Sequence, residues 1–179
     1  IPGFFGIVVF SREILTVIFT PEYATAALAL VILAAERVSH SIYVILGGIL
    51  NAIDQPKLSA KAVLVSIIFN IILNFLLIPE FGIAGAALAT AVSFTVNMLL
   101  HARYLSWFMK VEFHTYKLIW LLISAACMTV VLFALRRLFV VDSISVLIGL
   151  VGFGALVYFL MVSLIPSIRV EIKKELYVG

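Results

Sequence analysis

Three ionisable side chains, Glu36, Arg37 and His40, stand within one apolar stretch of this 179-residue chain. An ionisable group in hydrocarbon costs at least ~2.5 kcal/mol on insertion scales, and such groups face a bundle interior or a water-filled cavity. Glu36 lies eleven residues beyond Thr25, which is ~16 Å along a helix and near the middle of a bilayer. Glu36 and His40 are four apart, so they share a helix face while Arg37 is turned to the side. A carboxylate, a guanidinium and an imidazole at one depth can hold an anion or move a proton. They can also simply close an internal ion pair that fixes helix packing.

Asn70 and Asn74 continue a series at i+4 spacing that begins with Ala62 and Ser66. One face of that stretch is therefore polar. Asn70 is eight residues from Ile78, ~12 Å from the helix end and close to the depth of Glu36. A shared cavity would use both; hydrogen-bonded glue between helices, at ~1 kcal/mol, is the alternative, more so for Asn74. Gly85, Ala89, Ser93 and Asn97 repeat the spacing with small residues, which lets backbones approach closely. Gly149 and Gly152 are expected to pack likewise, and Gly47-Gly48 either bends its helix or packs closely. Arg12 and Glu13 interrupt the first run. Arg12 either snorkels to the interface or meets a phosphate head group.

Other chemistry is not signalled. His101 and His114 are expected at or beyond the inner interface of the membrane, with no spacing that suggests a metal. Cys127 is the lone cysteine and sits in an apolar run. There is no P-loop, no G-x-G-x-x-G, no H-E-x-x-H and no G-x-S-x-G. The reading is a non-enzyme that needs no cofactor and no metal.

The elements that must position these residues follow from composition. The chain is 65% hydrophobic and 12% charged, with a mean hydropathy of +1.27. A soluble domain is about 45–50% apolar and about 25% charged, so lipid has to be part of the solvent here. The net charge of +3 forms no basic stripe, which argues against nucleic acid as a partner. Apolar runs read as helices at 2–19, 25–50, 58–78, 83–108, 118–135 and 143–165. That is an all-α polytopic bundle of about six spans, each near the ~20 residues that cross ~30 Å of hydrocarbon. Pro21, Pro56, Pro79 and Pro166 fall at the breaks, where proline stops a helix. The chain opens Ile1-Pro2-Gly3 rather than Met, directly in an apolar run, and reads as part of something longer.

Lys57, Lys61, Arg103, Lys110, Lys117, Arg169, Lys173 and Lys174 lie in one set of breaks, and only Arg136 and Arg137 in the other. By the positive-inside rule the segments Asn51–Lys61, Arg103–Lys117 and the tail 166–179 are expected in the cytoplasm. The turns Thr20–Thr25, Pro79–Gly82 and Arg136–Ser143 are expected outside. The tail reads as a short interfacial helix. The fifth run, with only Ser124, Cys127 and Thr129 as polar content, reads as lipid-facing or peripheral.

Several stretches carry a resemblance. They are Ser11-Arg-Glu-Ile-Leu-Thr-Val-Ile-Phe-Thr-Pro-Glu-Tyr23, Leu50-Asn-Ala-Ile-Asp-Gln-Pro-Lys57 and Asn70-Ile-Ile-Leu-Asn-Phe-Leu-Leu-Ile-Pro-Glu-Phe-Gly-Ile-Ala-Gly-Ala-Ala-Leu-Ala-Thr90. They are similar to segments in the C-terminal half of polysaccharide and O-antigen flippases, in the superfamily of lipid II flippases and multidrug exporters. The match runs from about Ser11 to Leu105; beyond it only the pattern of two further helices agrees. Asp54 stands where a glycine is common, which suggests a different turn.

The resemblance implies two lobes of helices around a central cavity, working by alternating access on polyprenyl-phosphate-linked oligosaccharides at the cytoplasmic membrane. This chain would hold most of the second lobe, with membrane lipid and a missing N-terminal lobe as partners and its C-terminus in the cytoplasm. Glu36, Arg37, His40, Asn70 and Asn74 are then the candidate cavity wall, and Arg12 a candidate head-group contact. A cation-coupled multidrug exporter of the same fold is the alternative. A membrane-embedded glycosyltransferase or polymerase would need a large external loop with carboxylates, and every loop here is short.

Overall fold

The computed structural model describes residues 2–110, 115–139 and 141–164. Every regular element among them is helical: α1 (Pro2–Ile18), α2 (Ala27–Ala52), α3 (Pro56–Leu105), α4 (Thr115–Leu138) and α5 (Ile144–Ser163), with a 3-10 turn, Pro21–Ala26, ahead of α2. Four stretches are long and apolar enough to cross a membrane: Pro21–Ala52, Pro56–Leu105, Ile119–Leu138 and Ile144–Ser163. Large apolar side chains such as Phe75, Ile83, Ile148 and Phe159 are exposed along them. Helices satisfy their own backbone, so lipid can solvate this surface at no hydrogen-bonding cost. The chain is a multi-pass, all-α membrane protein. The tail 166–179, His114 and the end of the last run at 165 lie outside the described residues.

The runs 58–78 and 83–108 fall within one 50-residue element, α3. A straight helix of that length would reach ~75 Å, far beyond ~30 Å of hydrocarbon. The chain instead reverses at Gly82 (φ 53°, ψ −130°). The arms 56–81 and 83–105 run antiparallel, with Leu77 against Gly85 at one end and Ser59 against His101 at the other. The break therefore lies at Gly82 and not at Pro79, which stays inside helix. Proline removes its own N–H bond and crowds the carbonyl four residues back, which bends a helix, whereas the reversal needs a positive φ that glycine adopts most cheaply.

The helices group into two compact units, α2 with α3 and α1 with α4 and α5. In the first, Leu46, Leu50 and Leu105 form a buried cluster. Ala62, Ser66, Ala89, Ser93 and Asn97, from the two arms of α3, are all buried. The small-residue series is thus a packing seam. At Gly85 even a Cβ would collide with the Leu77 carbonyl.

α2 ends in a paired cap. The Gln55 N–H donates to the Leu50 carbonyl at 2.8 Å and the Asp54 N–H to Asn51 at 3.2 Å. That is the Schellman arrangement, which needs a left-handed residue just past the helix. Asp54 fills it with φ 57°, so the turn is of the glycine type after all. Pro56 then opens α3, where its missing N–H costs nothing.

In the second unit Val9, Phe10, Ala125, Met128, Leu132, Leu147, Leu150 and Tyr158 form the core. α4, expected at the periphery, packs against both α1 and α5. Its buried face is Ser124, Ala125, Met128 and Leu132, a helical stripe too apolar throughout to stand out from its surroundings. α5 presents Leu147, Leu150, Gly154 and Tyr158. Gly154 is the glycine that packs, its Cα facing Leu132. Gly149 and Gly152 meet nothing within 4 Å, because the helical period turns them away from the stripe. Ser143 caps α5, its Oγ accepting from the Val146 N–H at 3.5 Å.

Candidate functional site

Of the residues singled out above, Glu36, Arg37, His40, Asn70 and Asn74 all belong to α2 and α3. Glu36 is buried, 2% exposed. Its Oε2 accepts from Arg37 Nε at 2.6 Å and lies 2.5 Å from Nη2. Neighbours in a helix do not normally face each other, yet the long Arg37 side chain reaches the carboxylate beside it. The Arg37 side chain stays 61% exposed. Glu36 Oε1 is buried without a hydrogen-bond partner. The pair is lopsided: a buried anion holds one edge of an accessible cation, and among the described residues its other N–H donors make no hydrogen bond.

His40 does not join that pair. Its ring packs edge-on against Tyr43 at 5.1 Å and against Phe94 at 5.1 Å. Ser39, on the same stretch of α2, lies 3.3 Å from the Thr95 hydroxyl. Thr95 already donates to the Ala91 carbonyl, so Ser39 is the donor. These contacts fasten α2 to the second arm of α3.

Asn70 accepts at Oδ1 from Asn74 Nδ2 at 2.9 Å. Asn70 also borders a cavity of about 190 Å³ between the two arms, lined by Ser66, Ile67, Asn70, Thr90, Ser93 and Phe94. Asn74 lies instead beside a shallow groove with Phe75, Ile78 and Pro79. Phe94 thus touches His40 on one side and borders the Asn70 cavity on the other. Among the described residues no hydrogen bond joins Glu36 or Arg37 to Asn70 or Asn74.

Arg12 sits on α1, in the other unit, and is exposed. Its neighbour Glu13 is bound by Arg136 of α4, Nη2 to Oε1 at 2.5 Å. Arg136 Nη1 also donates to the Val9 carbonyl at 2.8 Å. The carbonyl sits at a local break in α1, where Phe10 leaves helical geometry (φ −114°, ψ 15°). A side chain inserted into the helix ladder is a recognised cause of a kink. Arg136, counted from sequence as a turn charge, is a structural tie.

The sequence reading missed His101. It is fully buried, with Nδ1 2.9 Å from the Asn97 carbonyl and Nε2 3.1 Å from Ser59 Oγ. A carbonyl only accepts, so Nδ1 carries the proton, and in the neutral ring Nε2 accepts from Ser59. Tyr43 stacks at 5.5 Å, and a Cβ at Gly47 would lie 3.2 Å from Nε2. Gly47 therefore serves close packing, and α2 passes through it without a break. A signal was present, because His101 extends the i+4 series of Gly85, Ala89, Ser93 and Asn97. Among the described residues no His, Cys, Asp and Glu side chains group as a metal site.

Comparison with known proteins gives the chain relatives. The chain is 44% identical over 176 residues to the protein named "Probable low-salt glycan biosynthesis flippase Agl15" of Haloferax volcanii, covering 98% of the chain. It is 31% identical over 180 residues to "Probable flippase AglR" of the same organism, again over 98% of the chain. An uncharacterized membrane protein of Methanocaldococcus jannaschii is 33% identical over 114 residues, 64% of the chain and 22% of that protein. The chain spans 37% and 38% of the length of the two Haloferax proteins. No family model and no solved structure matches. Along nearly its whole length the chain is thus similar to two Haloferax proteins named as probable flippases, one of them for low-salt glycan biosynthesis.

Proposed function

We propose that the complete protein is a flippase that carries a polyprenyl-phosphate-linked oligosaccharide across the cytoplasmic membrane for glycan assembly. This chain supplies much of its second lobe, and the remaining length supplies the first. The observation that carries the reading is the lopsided Glu36–Arg37 pair at mid-helix depth, in a chain whose relatives are named as flippases. Arg37, held by Glu36 yet exposed, draws the carrier phosphate by charge-assisted hydrogen bonds. Asn70 bonds sugar hydroxyls, and the polyprenyl tail stays in lipid. Glu36 or His40 carries a coupling proton. Glu36 is the nearer of the two to the bound phosphate, because it contacts Arg37 directly. The Asn51–Lys61 and Arg103–Lys117 segments and the tail lie on the cytoplasmic side.

The test is flipping of a fluorescent polyprenyl-diphosphate sugar by the full-length protein in proteoliposomes. Arg37→Ala slows it severely while protein yield and thermal stability hold. Transport by Arg37→Ala at the wild-type rate would remove the phosphate role and the reading built on it.

A further inference from the structure

We infer that the cavity between the two arms of α3 is a subsite for a single neutral sugar ring of the cargo, selected through its O–H and amide N–H groups. This rests on the flippase reading above and adds what part of the cargo the site takes and what it refuses.

The argument comes from where the hydroxyl protons go. Ser66 Oγ donates to the Val63 carbonyl at 2.8 Å, Thr90 Oγ1 to Ala86 at 2.9 Å and Ser93 Oγ to Ala89 at 2.7 Å. Each hydroxyl has spent its one proton on its own helix, so each oxygen has only lone pairs left to offer. Asn70 Oδ1 is taken by Asn74, which leaves the Asn70 amide hydrogens as donors. The cavity thus presents three acceptors and one amide group, with no charged side chain among its lining residues. A phosphate brings acceptors alone and would face acceptors. A sugar ring brings several O–H donors, or an acetamido N–H, each with an acceptor of its own for Asn70.

Shape agrees. About 190 Å³ is room for about six waters at ~30 Å³ each, and falls below the ~300 Å³ at which drug-sized pockets begin. One ring fits and a chain of rings does not. Ile67 and Phe94 give apolar walls for the C–H faces of a ring. Phe94 is held in place by His40 at 5.1 Å and Tyr43 at 5.8 Å.

The experiment uses the full-length protein in nanodiscs and two probes, farnesyl diphosphate and farnesyl-diphosphate-linked N-acetylglucosamine. Thr90→Val and Ser93→Ala remove one acceptor each with little change of volume. Each weakens binding of the sugar-bearing probe about two- to tenfold, the range of one hydrogen bond, and leaves bare farnesyl diphosphate unchanged. Arg37→Ala weakens both probes. If Thr90→Val and Ser93→Ala spare both probes, or weaken both equally, the subsite is overturned while a loss in Arg37→Ala keeps the phosphate role standing. If the unaltered protein binds neither probe, the flippase reading falls and takes the subsite with it.

Discussion

Gly85 packs its Cα directly on the backbone carbonyl of Leu77, so closely that no side chain fits between them. The relationship holds the two arms of α3 together just inside the reversal at Gly82. A Cβ at position 85 meets backbone, which cannot swing aside as a flexible side chain would. Gly85→Ala must therefore part the arms or shift their register. It is expected to lower stability by about 1–3 kcal/mol, the usual cost of overpacking, read as a lower Tm of the detergent-solubilised protein. Gly149→Ala on α5, where nothing lies within 4 Å, is the matched control and leaves Tm unchanged or slightly raised through better helix propensity.

The tie from α4 to α1 predicts a coupled pair. Arg136 serves both Glu13 and the Val9 carbonyl, while Glu13 Oε2 is buried without a partner. Removing Arg136 strands a carboxylate and a carbonyl together. Arg136→Met should cost about 1.5–3 kcal/mol, as for hydrogen bonds to charged groups. Glu13→Gln costs less, since the amide oxygen still accepts. In a double-mutant cycle the pair Glu13→Gln with Arg136→Met loses clearly less than the sum of the singles. Strict additivity in thermal unfolding would show that the contact carries no energy.

Asp54 gives a prediction of opposite sign. It holds φ 57° at the end of α2, a conformation that costs an L-residue roughly 1–2 kcal/mol. Aspartate tolerates it better than most, and the glycine replacement adds some freedom to the unfolded chain. The balance favours Asp54→Gly by about 0.5 kcal/mol, and Asp54→Val loses at least ~1 kcal/mol because a branched side chain resists that region. Thermal unfolding of the two variants side by side checks the order.

How far these features were legible depends on the kind of signal. Helices and their approximate ends follow from apolar runs, because the bilayer demands about twenty apolar residues per crossing. The Gly85–Ala89–Ser93–Asn97 seam was readable because small residues at i+4 have few other uses in a membrane. The packed face of α4 was not legible because lipid-facing and protein-facing surfaces are both apolar, so Ala125, Met128 and Leu132 look no different from exposed Val130 and Phe133. Gly154 could not be told from Gly149 and Gly152 without knowing where Leu132 lies. The Glu36–His40 face was a fair inference from spacing, yet Arg37 took Glu36 because a long, flexible side chain can fold back on its neighbour. His101 was passed over because its partners, Ser59 and Gly47, come from other parts of the chain.

Glu36 allows the proton role to be separated from the anchoring role. Its Oε2 holds Arg37 and its Oε1 is idle, so one side chain positions the cation and offers a protonation site. Glu36→Gln keeps the shape and an oxygen for Arg37, but it cannot gain or lose a proton. Were Glu36 only an anchor, substrate binding and flipping would fall together and modestly, since the amide oxygen still accepts from Arg37. Were it also the coupling site, Glu36→Gln would lose flipping driven by a pH gradient while still exchanging labelled for unlabelled substrate across the membrane. The second pattern is the one expected on the flippase reading, in which Glu36 carries the coupling proton. Gradient-driven uptake and exchange, measured on the same proteoliposomes of the full-length protein, distinguish the two. Glu36→Gln with intact gradient-driven flipping would move the proton elsewhere, and His40→Gln in the same assay would show whether His40 carries it.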